Sequence, residues 1–137
     1  MPAPSRPARA GLLAPVLVSV LAGAPPATAQ TLDCDNPQNQ HAINACAHQD
    51  WQKADRELNA TWKIVKARID ALDLNEPGHA KALLKAQRVW ITYRDAQCEL
   101  EGWQAHGGTM EPMLVSSCME RLTRIRTREL RELAGLR

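Results

Sequence analysis

Four cysteines are the residues of this sequence with the most definite chemistry: Cys34, Cys46, Cys98 and Cys118. They are even in number and widely spaced, and no two of them form a C-x-x-C pair. In a chain of only 137 residues, such a set predicts two disulfide bonds rather than a reactive thiolate. A disulfide framework in turn predicts that the protein folds in an oxidising compartment outside the cytosol.

Other groups that could do chemistry lack the spacing that their chemistry requires. Cys46 and His48 offer two soft metal ligands, but the paired cysteines typical of a structural zinc site are missing. Asp95 and Glu99 share a helix face, yet nothing around them predicts the raised pKa of a general acid. Nucleophile-elbow, phosphate-loop and dinucleotide fingerprints are all absent. We therefore expect no catalytic residues, no metal and no cofactor.

The first 29 residues have the pattern of a secretory signal peptide. Arg6 and Arg9 form a positive segment, residues 11–22 are a short apolar run, and small residues lead up to Ala29. The apolar run is shorter than the ~20 residues of a transmembrane helix. The sequence thus predicts cleavage near Ala29-Gln30, release into the periplasm or the medium, and no transmembrane segment.

The charge of the remaining chain excludes one class of partner. The whole sequence has 17 basic and 15 acidic residues, and taking away Arg6 and Arg9 leaves 15 of each. Residues 30–137 therefore form a single domain of 108 residues with no formal net charge. Nucleic-acid-binding domains are usually basic, so a nucleic acid is not the expected partner. The oligomeric state is not indicated.

Three amphipathic stretches predict an all-α fold. The first begins near Asn36-Pro37 and ends before residue 75, the second spans about 79–101, and the third begins near Glu111-Pro112. Short connections make neighbouring helices antiparallel, so we expect a three-helix up-down-up bundle. The expected apolar faces of helices 1 and 2 include Ile43, Trp51, Leu58, Trp62, Val65, Ile69, Leu72, Leu83, Leu84, Trp90, Ile91, Tyr93 and Leu100.

The bundle geometry ranks the possible disulfide pairings. If the loop between helices 2 and 3 is roughly symmetric, Cys98 and Cys118 lie at nearly the same height. Cys46 would then lie ~10 Å away along the axis, too far for a bond that needs Cα atoms ~4.4–6.8 Å apart. We therefore favour Cys98–Cys118, with Cys34–Cys46 by elimination.

Two surface features have both a structural and a binding interpretation. Arg121, Arg124, Arg128 and Arg131 follow helical spacing, as a solvated basic face or an anion-binding strip would. Trp103 lies in a glycine-rich loop, where it either caps the end of the bundle or anchors a partner.

One ordered set of motifs follows the chain from residue 34 onward. It comprises Cys34, Asn44-Ala45-Cys46, Ala54-Asp55-Arg56-Glu57-Leu58-Asn59, residues 86–98 (AQRVWITYRDAQC), Gly107-Gly108-Thr109, Pro112-Met113, Cys118, Leu122-Thr123-Arg124-Ile125-Arg126 and Leu130. As a set, these motifs resemble the LprI-type lysozyme-inhibitor domain family over essentially residues 30–137. Trp62 stands where that family often has tyrosine, and the lipid-attachment box of its founding lipoprotein is absent.

The resemblance implies an exported, helical, disulfide-bonded domain that inhibits lysozyme through a protein–protein contact. A rigid loop closed by a disulfide is suited to blocking a catalytic cleft. The candidate partner-binding residues are Trp103, His106, Gly107, Gly108, Thr109 and Glu111. The alternative is an envelope interaction or assembly module that has no effect on lysozyme.

Five polar residues of the motifs also have a structural interpretation. We expect Asp55 and Arg94 to lie at nearly the same height on antiparallel helices and to form an ion pair. With them we predict a partly buried network that joins the three helices through Asp55, Asn59, Gln87, Arg94 and Arg126.

Overall fold

The computed structural model describes residues 32–75 and 77–136, and within these residues the chain is a three-helix bundle. Helix α1 spans Gln40–Leu72, α2 spans His79–Gly102 and α3 spans Glu111–Leu133, with one short 3₁₀ helix at Trp103–Ala105. The all-α prediction is confirmed. None of the helices described is long and apolar enough to cross a membrane. The segment predicted to be a signal peptide lies outside the described residues.

Helix α1 begins later than predicted, because a different asparagine caps it. The Asn39 side chain accepts a hydrogen bond from the Ala42 amide at 2.9 Å and its backbone is extended, as an N-cap requires. The predicted start at Asn36-Pro37 is wrong. Asp33 Oδ1 instead accepts the amides of residues 35 and 36, at 3.0 and 3.3 Å, and this local turn holds the segment out of the helix.

A single aspartate ends α1 and starts α2. Asp73 caps α1, and its carboxylate accepts the backbone amides of Gly78, His79 and Ala80 at 3.1, 2.6 and 3.2 Å. These are orphan donors at the N-terminus of α2, where negative charge also interacts favourably with the helix dipole. The connection is therefore short and turns the chain back antiparallel to α1.

The core lies in two clusters along the bundle axis. Near the α1–α2 connection it comprises Leu58, Val65, Ile69, Leu83, Leu130 and Ala134. Near the α2–α3 loop it comprises Cys98, Cys118 and Leu122. The half-buried ring of Trp90 packs against both clusters, and the half-buried Trp62 packs against the first. Trp90 thus connects the two parts of the core.

Helix α2 buries less of its apolar surface than its composition suggests. Its buried side chains form one narrow line, Leu83, Gln87, Arg94 and Cys98. The broad apolar face expected for α2 is therefore buried only in part, because a bundle of three helices leaves the outer sides of α2 without a neighbour. The residues affected are Leu84, Ile91, Tyr93 and Leu100, which are 38%, 39%, 54% and 64% exposed, and Leu72 of α1 is 51% exposed.

Both predicted disulfides are confirmed. Cys34 bonds to Cys46 and Cys98 bonds to Cys118, with Cα atoms 5.5 and 5.4 Å apart. No described cysteine is free, so Cys46 is not available as a zinc ligand beside His48. The first bond fixes the segment before α1 to that helix, and the second joins α2 to α3 below their loop.

We expect the two disulfides to contribute unequally to stability. Replacing Cys98 and Cys118 with alanine should lower the free energy of unfolding by ~3 kcal/mol or more, since the bond closes the longer loop and both residues are fully buried. Replacing Cys34 and Cys46 should cost less, because Cys34 is exposed. Urea unfolding followed by far-UV circular dichroism measures both losses of stability. A larger loss on replacing Cys34 and Cys46 than on replacing Cys98 and Cys118 would contradict this prediction.

Candidate functional site

The loop between α2 and α3 stands on a tightly packed base. Gly102, the last residue of α2, is buried, and a Cβ there would lie 2.6 Å from Val115 Cγ2 of α3. Only glycine allows the helices to approach this closely. The Cys98–Cys118 bond lies one turn below Gly102, so the two ends of the loop are held at a fixed separation.

Backbone hydrogen bonds fold the loop into a compact tip. The amide of His106 donates to Trp103 O at 3.2 Å, and the amide of Gly108 donates to Ala105 O at 2.8 Å. Between them Gly107 has a φ of +74°, in the left-handed region where a glycine carries no steric cost. The tip is therefore an ordered structure rather than an open connection.

The side chains at the tip form a stacked pair over a carboxylate. The rings of Trp103 and His106 are nearly parallel, with centroids 4.0 Å apart. His106 Nδ1 lies 3.4 Å from Glu111 Oε1, and the Gly107 amide donates to Glu111 Oε2 at 2.8 Å. The Gly107 amide, followed by the His106 contact, lowers the pKa of Glu111 from its ordinary value of 4.5. Trp103 is still 57% exposed and presents a preorganised aromatic surface.

The N-terminal part of α1 supports the same tip. Asn44 Nδ2 donates to Thr109 O at 2.9 Å, a contact between residues 65 positions apart. Asn44 lies half a turn before Cys46, whose disulfide holds the preceding segment. The loop residues predicted from the sequence, from Trp103 to Glu111, are therefore brought together, and all three helices meet at this end of the bundle. We call it the loop end.

An apolar groove beside the tip was not anticipated from the sequence. It has a volume of about 430 Å³ and is lined by His48, Trp51, Glu111, Pro112, Val115, Ser116 and Met119. His48 and Trp51 form an edge-to-face pair with centroids 5.2 Å apart, and the Trp51 Nε1 has no hydrogen-bond partner. The sequence pattern predicts Trp51 on the apolar face of α1, and the structure places it in the lining of this groove. The i, i+3 spacing of His48 and Trp51 was the available signal, but the sequence alone does not bring α3 beside them.

Charge is strongly polarised along the bundle. The loop-end half, residues 32–56 and 91–122, has nine acidic and four basic residues, a formal net charge of −5. The opposite half, residues 57–75, 77–90 and 123–136, has five acidic and ten basic residues, a net charge of +5. Folding thus converts an overall neutral domain into one with a negative loop end.

The predicted ion pair of Asp55 and Arg94 is longer than the contact that Arg94 makes on its own helix. Arg94 Nη1 lies 3.7 Å from Asp55 Oδ1, whereas its Nη2 and Nε lie 2.8 and 2.9 Å from Asp95 Oδ1. Asn59 Nδ2 donates to Asp55 Oδ2 at 2.9 Å. These residues form one polar cluster between α1 and α2, with the Arg94 side chain only 10% exposed.

Gln87 and Arg126 form a second polar cluster, between α2 and α3. Arg126 Nε donates to Gln87 Oε1 at 3.0 Å, and Arg126 Nη1 lies 3.0 Å from Glu129 Oε2. The guanidinium carbons of Arg94 and Arg126 lie 5.1 and 5.9 Å from the centre of the Trp90 ring. The indole therefore connects the two clusters through cation–π contacts. The five residues do not form one continuous hydrogen-bonded chain.

Carboxylates neutralise most of the arginine strip on α3. Arg121 donates to both oxygens of Glu101 at 2.7 and 2.9 Å, Arg124 pairs with Glu120, and Arg131 pairs with Glu57. Gln97 and then Arg121 lower the pKa of Glu101. Within the described chain, these contacts leave Arg128 as the strip residue without a carboxylate partner.

Metal ligands and shifted carboxyl groups in the described residues bear on the chemistry of this surface. Within residues 32–75 and 77–136, no three His, Cys, Asp or Glu side chains converge as metal ligands. The two carboxyl groups with shifted pKa values, Glu101 and Glu111, are both shifted downward. A general acid at neutral pH requires a raised pKa, so Glu101 and Glu111 are not suited to that role.

The chain is similar to one protein family and to one bacterial protein. Residues 34–130 match the family model described as Lysozyme inhibitor LprI, and this range includes the four cysteines and the whole loop. The chain is also 49% identical over 129 residues to an uncharacterized protein of Rhizobium meliloti strain 1021, covering 88% of this chain and 93% of that protein. No solved structure matches the chain.

We expect Arg94 to contribute to stability through its contacts with two helices. Arg94→Ala should lower the free energy of unfolding by about 2 kcal/mol, because it removes charge-assisted hydrogen bonds of a largely buried group. Arg88→Ala is the matched control, since Arg88 is exposed on the same helix and should change stability by less than ~0.5 kcal/mol. Equal effects in urea unfolding would contradict a role for the polar cluster.

Acid should loosen the tip of the loop. Because the folded state lowers the pKa of Glu111 below 4.5, its contribution is present above the ordinary pKa and is lost as the pH falls through the lower, folded value. The Gly107 amide resonance should therefore titrate with a midpoint below pH 4.5. Glu111→Gln should abolish that titration. A midpoint at or above the ordinary value would disprove the contact.

Proposed function

The chain belongs to the LprI lysozyme inhibitor family, and on this basis we propose that it is an exported protein that inhibits lysozyme by binding it, without catalysing a reaction. The loop end is the proposed contact surface. The observation that carries the proposal is the stacked Trp103–His106 pair on a loop that is fixed at its base by Cys98–Cys118.

The shape of the tip supports an insertion mechanism. Lysozyme hydrolyses its substrate between two carboxyl groups in a cleft. An inhibitor that fills such a cleft needs a protruding element that loses little conformational entropy on binding. The hydrogen-bonded turn supplies this rigidity, and the exposed Trp103 provides the aromatic anchor typical of interface hot spots. His106 supplies a hydrogen-bonding group beside it.

The charge distribution supports the same orientation. Strongly basic lysozymes are attracted to negative surfaces, and complementary potentials raise association rates and orient the partners before contact. The net charge of −5 at the loop end would direct a basic enzyme toward the tip, whereas the net charge of +5 would repel it from the opposite end. A neutral net charge of the whole domain does not prevent this effect, because steering depends on the local field.

Export is part of the same proposal. Lysozyme acts on the cell wall, so an inhibitor must reach the periplasm or the medium. The two disulfides are typical of proteins that fold in an oxidising compartment. The predicted signal peptide, with cleavage near Ala29-Gln30, would provide the route.

The test is a cell-wall lysis assay with the oxidised protein against several lysozyme types. We expect dose-dependent protection near equimolar ratios. The combination Trp103→Ala and His106→Ala should raise the half-inhibitory concentration at least ~10-fold, as loss of a central hot spot does. Added salt should slow association, because it screens the field of the loop end.

A control variant separates loss of the contact from loss of the fold. Leu74→Ala removes another exposed apolar side chain, 84% exposed, which lies in the connection between α1 and α2, at the opposite end of the bundle from the loop end. It should inhibit as the unaltered protein does, and all variants should unfold at the same urea concentration. Full inhibition by the double variant Trp103→Ala, His106→Ala would show that the loop is not the contact surface. No inhibition of any lysozyme type would favour an envelope interaction module instead.

A further inference from the structure

An exposed apolar stripe follows the full length of α2. It comprises Ala82, Ala86, Val89, Tyr93, Ala96 and Leu100, all exposed, and we call it the α2 stripe. The steps between these residues alternate between four and three, which is the seven-residue repeat of a coiled-coil seam. Val89, Tyr93 and Leu100 are 61%, 54% and 64% exposed. The bundle itself uses a different line of α2 residues for its core.

The charges beside the stripe are polarised along the helix. Lys81, Lys85 and Arg88 lie in the first half of α2, and Asp95, Glu99 and Glu101 lie in the second half. Lys85 and Glu99 are both exposed, and neither forms an ion pair or side-chain hydrogen bond within the described chain. Two charged groups of opposite sign thus flank the stripe two heptads apart, with no partner in their own chain.

This order of charges is unfavourable for α2 as an isolated helix. Acidic side chains stabilise a helix near its N-terminus and basic ones near its C-terminus. Helix α2 has no acidic residue in its first turn and no basic residue in its last, whereas α3 has Glu111 first and Arg131 last. A helix packed antiparallel against α2 with the same charge order would neutralise both halves.

We propose that two copies of this chain dimerise through the α2 stripe, with their α2 helices antiparallel. The surface is then self-complementary about a two-fold axis, as an isologous dimer requires. In an antiparallel coiled coil, equivalent flanking positions face each other. Lys85 of each copy therefore lies opposite Glu99 of the other, and the interface contains this ion pair twice.

The same register brings the apolar side chains of the two α2 stripes opposite each other. When Lys85 faces Glu99, Leu100 lies opposite Ala82 of the second copy, and Tyr93 lies opposite Val89. Ala86 then faces Ala96, and these two small side chains let the helices approach closely at that point. Over these 19 residues the seam is ~27 Å long at 1.5 Å per residue.

A parallel pair would not use these features. Parallel helices in register would bring the basic halves of α2 together and the acidic halves together, and like charges oppose association. Only the antiparallel arrangement places the basic half of each α2 helix opposite the acidic half of the other. It also directs the two loop ends away from each other, so dimerisation through α2 leaves each Trp103–His106 tip accessible.

Sedimentation velocity of the oxidised protein over a range of concentrations tests the proposal. We expect a reversible monomer–dimer equilibrium. Val89→Glu should raise the dissociation constant at least ~10-fold, because it places a charge in the apolar seam. Ile64→Glu on α1 is the matched control: Ile64 is 56% exposed and lies off the stripe, so this variant should dimerise normally.

Charge reversal tests the orientation of the helices. Lys85→Glu and Glu99→Lys should each weaken self-association, because each places like charges opposite each other twice. A mixture of the two single variants should form heterodimers, since both cross pairs then attract, and the double variant should dimerise like the unaltered protein. Circular dichroism of every variant should remain that of the folded bundle.

Two results would overturn the proposal. The first is a protein that remains monomeric up to ~1 mM, where even a weak complex would be populated. The second is a dimer that Val89→Glu leaves intact, or whose charge-reversal variants are not rescued by mixing. Inhibition of lysozyme is measured separately, so failure of the dimer leaves the loop proposal standing.

Discussion

The buried Cys98–Cys118 bond is the constraint on which the loop end of this protein depends. Helix α2 buries only a narrow line of side chains, so noncovalent packing alone attaches it weakly to the other helices. The disulfide fixes its last two turns against α3. Gly102 can then approach Val115 closely, and the loop begins and ends at a fixed separation. The stacked Trp103–His106 tip is held in place because this base is fixed.

The second organising feature is the separation of charge. Acidic residues outnumber basic ones in residues 32–56, in the second half of α2 and in the first half of α3. Because successive helices are antiparallel, these segments meet at one end of the bundle. Their fields add there, and the overall neutral domain becomes a dipole. The acidic second half of α2 thus contributes to the negative loop end. The same separation of charge along α2 forms the complementary pattern beside the α2 stripe.

Local signals in the sequence predicted the elements well, and their errors have physical causes. Breakers at Pro77-Gly78 and the glycine-rich loop located the ends of α2, and the proline at residue 112 located the start of α3. The first helix start was misplaced because Asn36-Pro37 and Asn39 are both plausible caps, and only the Asp33 turn and the Cys34–Cys46 bond choose between them. Periodicity also overestimated the buried face of α2, since it reports which residues share a face but not whether a neighbour covers that face.

By itself, the sequence determined the number and order of the helices and the position of the loop, because each depends on local propensities and chain distances. It ranked the disulfide pairings only through the expected heights of the cysteines in the bundle. Tertiary structure alone decided which apolar stripe of α2 stays exposed, how Trp51 and His48 form a groove with α3, and why Arg94 lies nearer to Asp95 than to Asp55. These outcomes depend on the rotation of each helix about its axis. That rotation results from packing the whole core, and no single segment of the chain specifies it.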